Sequence, residues 1–481
     1  MHFSIPETEE VGDTKAKAFT GYCLHINGVY HCLVRYRQLH ALHEQLRREF
    51  GASALPAFPP KKLFNLSESE QEERRLLLEK YLQLVSQNPA VATSHTFNTF
   101  LLTAQQETRR ERTEEISLDV FLMNEHKITV NVLNTEQSDA VLEQVCAQLS
   151  IPEDLVHCFS LFLIRRHEDT GDITVSRKLQ DFEAPYISLK ALSLIPESND
   201  KENGSLKIVM RKSSWDSCID DLLLNEQSTL NLLYIQTVAD IERGWIVTSS
   251  ETKQQLALMQ ATGSKRQFME VARSLNFYGF MVFKTAITDH PEPHTRVTVA
   301  LGRASLNMRL YTPSGEIKEV SFKVTRMRCW RIMKSESSNQ TGILRTDGSQ
   351  LELSFEYLIS AERLEWITIK SHQAILMSMC LQSMVEELVR VKNGETDPKK
   401  ISRCSAKKII KRKSPESQSS SGDEGCSGPV DYTVRKLAEK FSVVNMRAAS
   451  KAAEDVFVEN EIFNSNGEEF KENDDTAGAE R

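Results

Sequence analysis

Residues 34–39 read Val-Arg-Tyr-Arg-Gln-Leu, and this stretch marks a change of period within the first hundred residues. Before it, residues 19–34 alternate as strands do, and Asn27-Gly28 is typical of a tight hairpin turn. After it, leucines recur at helical spacing. The pattern therefore places Arg35 and Tyr36 where a β-hairpin passes into a helix.

Two further basic clusters follow this junction. Phe58-Pro-Pro-Lys-Lys62 is an extended proline segment, and Ser67-x-x-Glu70 is a capping box that opens a helix carrying Arg74. A phosphorylated inositol ring requires cations placed around it, with arginine as a bidentate donor and lysine as a point charge. The three clusters are suited to one pocket for such a ring on a membrane surface.

Within that pocket each side chain has a predicted role. Arg35 binds the phosphate that defines the lipid, and Tyr36 packs against the inositol ring. Lys61 binds the phosphate that joins the headgroup to glycerol, and Arg74 binds ring hydroxyls. The alternative is that all are ordinary surface cations at a strand end, a turn and a helix.

Composition limits the class of protein. The 481 residues are 40% apolar and 26% charged, which is enough for about three domains with cores. A net charge of −8 argues against nucleic-acid binding through bulk charge. The nine cysteines contain no CxxC pair, so no metal site, cofactor or disulfide framework is predicted. We expect an intracellular protein without a secretory signal or membrane span, able at most to lie on a membrane.

Beyond the first domain, the periodicity changes three times. Residues 115–207 show the strand, strand, helix, strand order of a ubiquitin-like fold, and 208–280 are dominated by helical spacing. Residues 281–392 contain strands in series closed by one helix, as in a phosphotyrosine-binding sandwich. The polar tail 393–481 is predicted to be disordered, with a possible short helix over 434–446. The fold class is therefore α+β and multidomain.

A family resemblance rests on these motifs. Residues 34–39, residues 55–61 and Arg74-x6-Tyr81 resemble the pattern of PX domains, the phosphoinositide-binding modules of sorting nexins. The resemblance implies a PX domain over 1–108 and phosphatidylinositol 3-phosphate as ligand. It implies that Arg35 binds the 3-phosphate, that Tyr36 stacks on the ring, and that Arg37 makes a backbone or phosphate contact. It also implies that Lys61 binds the 1-phosphate and Arg74 the ring hydroxyls. Lys62 and Arg75 are the neighbours that could take a role by a shift of one position.

The remaining domains resemble a FERM module. Residues 270–279 are similar to the end of a FERM helical lobe, which implies F1, F2 and F3 lobes over 115–207, 208–280 and 281–392. Residues 1–8, 324–330 and 381–388 resemble the PX-FERM sorting nexins, in the subgroup that contains sorting nexins 17 and 31. The match extends over about residues 1–392.

This resemblance implies an adaptor that selects cargo. In the subgroup, the F3 lobe binds Asn-Pro-x-Tyr or Asn-x-x-Tyr motifs in receptor and integrin tails, diverting them from lysosomal degradation to recycling. An edge strand can receive such a peptide, so we expect the strand Val324–Ile332 to do so, with Trp330 as aromatic anchor and Val385 as a wall. The alternative is that both side chains belong to the core. The expected location is the cytoplasmic side of the early endosome, as a monomeric peripheral membrane protein.

Other partners have less support. Residues 457–463 are the nearest candidate for the acidic motif that binds the retriever recycling complex, although the end of the chain departs from that motif. The F1 lobe could bind a small GTPase. The alternative function is a FERM-type scaffold that links membrane to cytoskeleton or GTPase signalling. The sequence contains no nucleophile or phosphate-loop motif, so we do not expect an enzyme.

Overall fold

The computed structural model describes residues 1–12, 19–62, 66–110, 112–167, 171–193, 204–312, 314–334, 351–360, 363–392 and 456–461. Within these ranges the chain forms three sheets, of four, five and nine strands, together with eleven α-helices. The α+β multidomain class expected from the sequence is confirmed. None of the described helices is long and apolar enough to cross a membrane.

The first domain is a small antiparallel sheet packed against helices. Its strands are β1 (Phe3–Ser4), β2 (Thr8–Val11), β3 (Phe19–Ile26) and β4 (Val29–Arg35), and its helices are α1 (Tyr36–Phe50), α2 (Glu68–Gln87), α3 (Pro89–Ala92) and α4 (His95–Arg109). Asn27 and Gly28, both at positive φ, form the turn between β3 and β4. The predicted hairpin is therefore present, and it ends where α1 begins.

The second domain has the sheet order β6-β5-β9-β7-β8, with β5 and β9 parallel. Its elements are β5 (Glu115–Phe121), β6 (Lys127–Leu133), α5 (Ser138–Gln148), β7 (Phe159–His167), β8 (Ile173–Lys178), α6 (Pro185–Ser193) and β9 (Gly204–Lys212). The third consists of α7 (Ser217–Asn225), α8 (Gln227–Glu242), α9 (Ser250–Ala261) and α10 (Lys265–Ala272). These two domains share one apolar core.

The fourth domain is one antiparallel β-sheet closed by one long helix. Its elements are β10 (Met281–Val282), β11 (Ala286–Thr288), β12 (Thr295–Gly302), β13 (Ser305–Tyr311), β14 (Ile317–Lys323), β15 (Met327–Lys334), β16 (Leu351–Ser360), β17 (Arg363–Lys370) and α11 (Ala374–Lys392). The peptide-receiving strand predicted over 324–332 starts later, because residues 324–326 form a 3-10 turn. The core side chains of the fourth domain pack together with those of β7 and β8 of the second domain.

A strand from the predicted tail completes this sheet. β18 (Val456–Glu461) pairs antiparallel with β15, on the side opposite β16. Composition favours an unfolded tail, yet this segment contains Val456-Phe-Val458, which suits a strand once an existing edge provides its hydrogen bonds. The helix predicted over 434–446 lies outside the described residues.

The domains are joined by buried polar contacts. Between the first and second domains, Gln105 Nε2 donates to Ser188 Oγ at 3.0 Å, and the Ala184 N–H donates to Gln105 Oε1 at 3.0 Å. Between the first and fourth, His2 Nε2 lies 3.0 Å from Ser378 Oγ on α11. Buried polar groups are costly to separate from their partners, so these contacts fix the first domain relative to the fourth.

Candidate lipid and peptide sites

The cationic pocket is built at the junction of β4 and α1. Arg35 is the last residue of β4, and its backbone N–H donates to Gln38 Oε1 at 2.8 Å. The Arg35 guanidinium lies 3.2 Å from the centre of the Phe19 ring. Partial burial, with Arg37 and Arg110 nearby, lowers the pKa of Arg35. Several arginines close together create a local positive potential on a chain with net negative charge.

Tyr36 connects the three basic clusters. Its hydroxyl donates to the Pro59 carbonyl at 2.8 Å, which ties α1 to the proline segment. Its ring centre lies 4.4 Å from the Arg74 guanidinium and 5.6 Å from the Phe58 ring centre. Residues far apart in sequence therefore converge on one aromatic ring, with Arg74 held by a cation–π contact.

The neighbouring cations are engaged elsewhere. Lys62 forms an ion pair with Glu70 at 2.9 Å. Arg75 pairs with Glu72 at 2.5 Å and also hydrogen-bonds the Ile5 carbonyl, so it holds α2 against the segment that follows β1. Arg74 Nη2, in contrast, is buried and has no hydrogen-bond partner among the described residues. This difference favours Arg74 over Arg75 as a ligand-binding residue.

Two predicted lipid-binding side chains lie at the rim. Lys61 is exposed and has no ion-pair partner within the part of the chain that the structure describes, and Arg37 is exposed on the first turn of α1. The apolar residues Leu63 and Phe64 beside Lys61 are suited to the bilayer interface, and they lie outside the described residues. The structure thus brings Arg35, Tyr36 and Arg74 together and leaves Lys61 and Arg37 at the surface.

The predicted peptide anchor is a core residue. Trp330 is 1% exposed, and its Nε1 donates to Ser378 Oγ at 2.9 Å, the same oxygen that meets His2. Val385 on α11 is 6% exposed and belongs to the same core. Both also line a cavity of about 710 Å³ between the first, second and fourth domains. A Trp330→Ala change would remove core packing, and large-to-small aromatic changes cost about 3–5 kcal/mol.

The edge of β15 offers a clearer indication of peptide binding. β18 lies along it with Trp330 opposite Asn460, Arg331 opposite Glu459 and Ile332 opposite Val458. An extended segment of the same chain therefore occupies the edge that we predicted for a peptide. Periodicity gave no signal for this pairing, although the sequence Asn460-Glu-Ile-Phe463 has the spacing of asparagine and aromatic residue that an Asn-x-x-Tyr motif has.

Four known domain families match the chain in the same order as the domains of the structure. A PX domain matches residues 23–104, the sorting nexin 17/27/31 FERM F1 lobe 116–215, the sorting nexin 17/31 FERM F2 lobe 216–276, and the sorting nexin 17 FERM C-terminal domain 279–389. Sorting nexin-17 of Homo sapiens is 46% identical over 95% of this chain and 96% of its own. The chain belongs to the PX-FERM sorting nexins. The family is one of non-enzymatic adaptors.

Two more relatives place the chain within that family. Sorting nexin-17 of Danio rerio is 43% identical over 94% of this chain and 95% of its own, and sorting nexin-31 of Homo sapiens is 34% identical over 80% and 86%. The predicted membership of the sorting nexin 17 and 31 subgroup is therefore confirmed. For a PX-FERM sorting nexin, the PX domain implies phosphoinositide binding and the FERM module implies binding of cargo tails, with a role in endosomal transport.

Proposed function

We propose that this sorting nexin binds phosphatidylinositol 3-phosphate with its PX domain and Asn-Pro-x-Tyr or Asn-x-x-Tyr motifs of transmembrane cargo with its F3 lobe. It then returns the cargo from endosomes to the cell surface instead of to lysosomes. We also propose the domain limits 1–108, 115–207, 208–280 and 281–392, and a peripheral location on the cytoplasmic side of early endosomes.

The lipid half of the proposal is supported by the convergence of cations on Tyr36. Arg35 takes the 3-phosphate, the ring of Tyr36 packs against inositol, and Arg74 donates its unpartnered Nη2 to ring hydroxyls or phosphate. Lys61, exposed at the end of the proline segment, reaches the 1-phosphate next to the bilayer, and Arg37 contributes from the rim. The charges are thus distributed around a ring-shaped ligand.

The cargo half is carried by one observation, the pairing of β18 with β15. An edge that pairs with a strand of its own chain has backbone groups disposed to pair with an extended cargo peptide. Cargo then has to displace residues 456–461 before it binds. Trp330 and Val385 support this edge from the core side, where they fix β15 and α11 relative to each other.

The lipid site and the cargo site are held at a fixed distance from each other, which allows one membrane to engage both. The contacts of Gln105 with Ser188 and of His2 with Ser378 hold the PX domain against the FERM lobes. When the lipid and the cargo tail belong to one membrane, binding the first raises the effective concentration of the second. Two weak interactions then select for cargo on membranes that carry the right lipid.

A liposome panel tests the lipid half, which decides the location. We expect vesicles containing phosphatidylinositol 3-phosphate to bind the full chain, and Arg35→Ala to lose at least tenfold in affinity because charge-assisted hydrogen bonds are lost. Arg48→Ala is the matched control, since Arg48 is an exposed arginine on the opposite end of α1. Equal binding to vesicles without the 3-phosphate, or unchanged binding by Arg35→Ala, would reject the endosomal lipid site.

A further inference from the structure

The outer face of the β15–β17 sheet carries alternating charges. Side chains of Trp330 and Ile332 point into the core, so Arg331, between them on β15, faces outward. The Arg331 guanidinium lies 4.2 Å from the centre of the Trp366 ring on β17. Trp366 is 37% exposed, and its ring holds the arginine flat against the sheet.

The acids that share this face are paired with other cations. Glu356 on β16 forms an ion pair with Arg328, and Glu352 pairs with Lys370 at 2.9 Å. The β16 residue opposite Arg331 is Ser354, whose hydroxyl is 3.1 Å from that of Thr368. Among the described residues of β15, β16 and β17, Arg331 has no acidic partner, and its Nε is buried without a hydrogen-bond partner.

Arg331 lies on β15, the strand that would pair with a bound peptide. In the register of β18, Glu459 is directly opposite Arg331 and Asn460 is opposite Trp330. Residues directly opposite each other in an antiparallel pair lie on the same face with Cβ atoms about 5 Å apart. The residue just before the asparagine of a bound motif therefore lies beside Arg331, whatever chain supplies it.

We propose that Arg331 is a specificity-determining residue that selects cargo peptides with Asp or Glu immediately before the motif asparagine. This inference rests on the proposed cargo function and specifies its ligand further. In this structure the guanidinium stacks on Trp366 across β16, on the side of β15 opposite to the peptide. An acid opposite Arg331 draws the guanidinium from that ring toward the peptide and forms a cross-strand ion pair, which favours opposite charges and disfavours like charges. A lysine or arginine at that position would lie against Arg331 and weaken binding.

The test uses three Asn-Pro-x-Tyr peptides that differ only in having Glu, Gln or Lys before the asparagine. Affinities are measured on the full chain and compared as ratios, because competition from residues 456–461 affects all three peptides equally and cancels. We expect the Glu peptide to bind about two- to fivefold more tightly than the Gln peptide, and the Lys peptide to bind more weakly than both. Arg331→Gln should bring the Glu to Gln ratio to about one.

Two further proteins keep the result interpretable. Arg331→Glu should reverse the order, so that the Lys peptide binds better than the Glu peptide. Lys370→Gln is the matched control, because it removes one cation from the same face on β17, which is separated from the peptide by β15 and β16, and should keep the wild-type ratio. Binding to vesicles with phosphatidylinositol 3-phosphate, through the distant PX domain, verifies that each variant is folded.

The outcomes separate the two proposals. Equal affinities for the Glu and Gln peptides on the wild type, or a ratio that Arg331→Gln leaves unchanged, would overturn the charge selection while peptide binding stands. A ratio that Lys370→Gln abolishes equally would also overturn it, since general electrostatics would then explain the preference. Failure of all three peptides to bind would overturn the cargo function and this inference with it.

Discussion

The lipid pocket and the peptide edge are assembled in opposite ways. The pocket joins Arg35, Tyr36 and Arg74, which lie within forty residues of one another in a single domain. The edge joins β15 to β18, whose paired residues Trp330 and Asn460 lie 130 positions apart in the sequence. The pocket is formed by contacts within one domain, whereas the edge is occupied by a segment that cargo has to displace. The lipid pocket is therefore formed by the PX domain alone, whereas access to the peptide edge depends on competition between cargo and β18.

The largest expected effect separates two adjacent arginines of the pocket. Arg74→Gln should weaken binding to phosphatidylinositol 3-phosphate vesicles by about tenfold or more, because the lost charge-assisted bonds are worth about 1.5–3 kcal/mol, and should lower the melting temperature less than Arg75→Gln does. Arg75→Gln should lower the melting temperature, because Arg75 binds Glu72 and the Ile5 carbonyl. Vesicle sedimentation and thermal unfolding measure the two effects. Loss of vesicle binding in Arg75→Gln, with binding retained in Arg74→Gln, would show that Arg75 is the arginine that binds the lipid.

A second effect concerns how the free energy of unfolding depends on pH, through two buried histidines at the contacts between domains. Burial lowers the pKa of His31, at the contact with the second domain, to about 4 and that of His2, at the contact with the fourth, to about 3. Unfolded histidine binds a proton below pH about 6.5 and these folded histidines do not. Stability is therefore complete above pH 6.5 and falls as the pH drops toward 4, by about 2 kcal/mol per histidine at pH 5.

Urea unfolding at pH 7.5 and pH 5 measures this loss. His31→Gln should reduce the difference between the two pH values, because the glutamine amide can still donate to the Leu101 carbonyl that His31 Nε2 meets at 3.0 Å and it does not titrate. His126→Gln is the control at an exposed histidine and should leave the difference unchanged. A wild-type protein equally stable at both pH values would contradict the burial of these side chains.

The third effect concerns the competitive edge. Replacing residues 456–461 by glycine and serine removes β18 and should raise the affinity for an Asn-Pro-x-Tyr peptide by about tenfold, since an intramolecular competitor acts at high effective concentration. The same replacement at residues 470–475 is the control for a change of tail composition. Isothermal titration compares the two proteins. Unchanged affinity after loss of residues 456–461 would show that the peptide binds somewhere else.

This contrast also explains how far sequence reasoning reached. Arg35, Tyr36 and Arg74 were predictable as a group because their hairpin, helix and capping box are signalled by neighbouring residues. The family resemblance assigned Arg74 rather than Arg75. The contacts that engage Arg75, with Glu72, Glu79 and the carbonyl of Ile5, are visible only in three dimensions. The lipid-binding roles themselves stay predictions.

For the fourth domain, the order of strands before one helix was sufficient for the fold, but not for the environment of its tryptophan. Trp330 was predicted beside a peptide, and the structure places it inside, bonded to Ser378. Periodicity assigns faces to a strand but does not reveal which face a distant helix covers. The pairing of β18 was likewise hidden, because a strand edge far along the chain determines it.

Joint binding of lipid and cargo by one chain can be measured on vesicles that carry both ligands. Vesicles are prepared with phosphatidylinositol 3-phosphate alone, with a lipid-anchored Asn-Pro-x-Tyr peptide alone, and with both, and binding of the full chain is measured on each. We predict that vesicles with both bind at least tenfold more tightly than either alone, because the second contact is made at high effective concentration. Binding to the combined vesicles no tighter than to the better single vesicle would contradict joint binding of lipid and cargo.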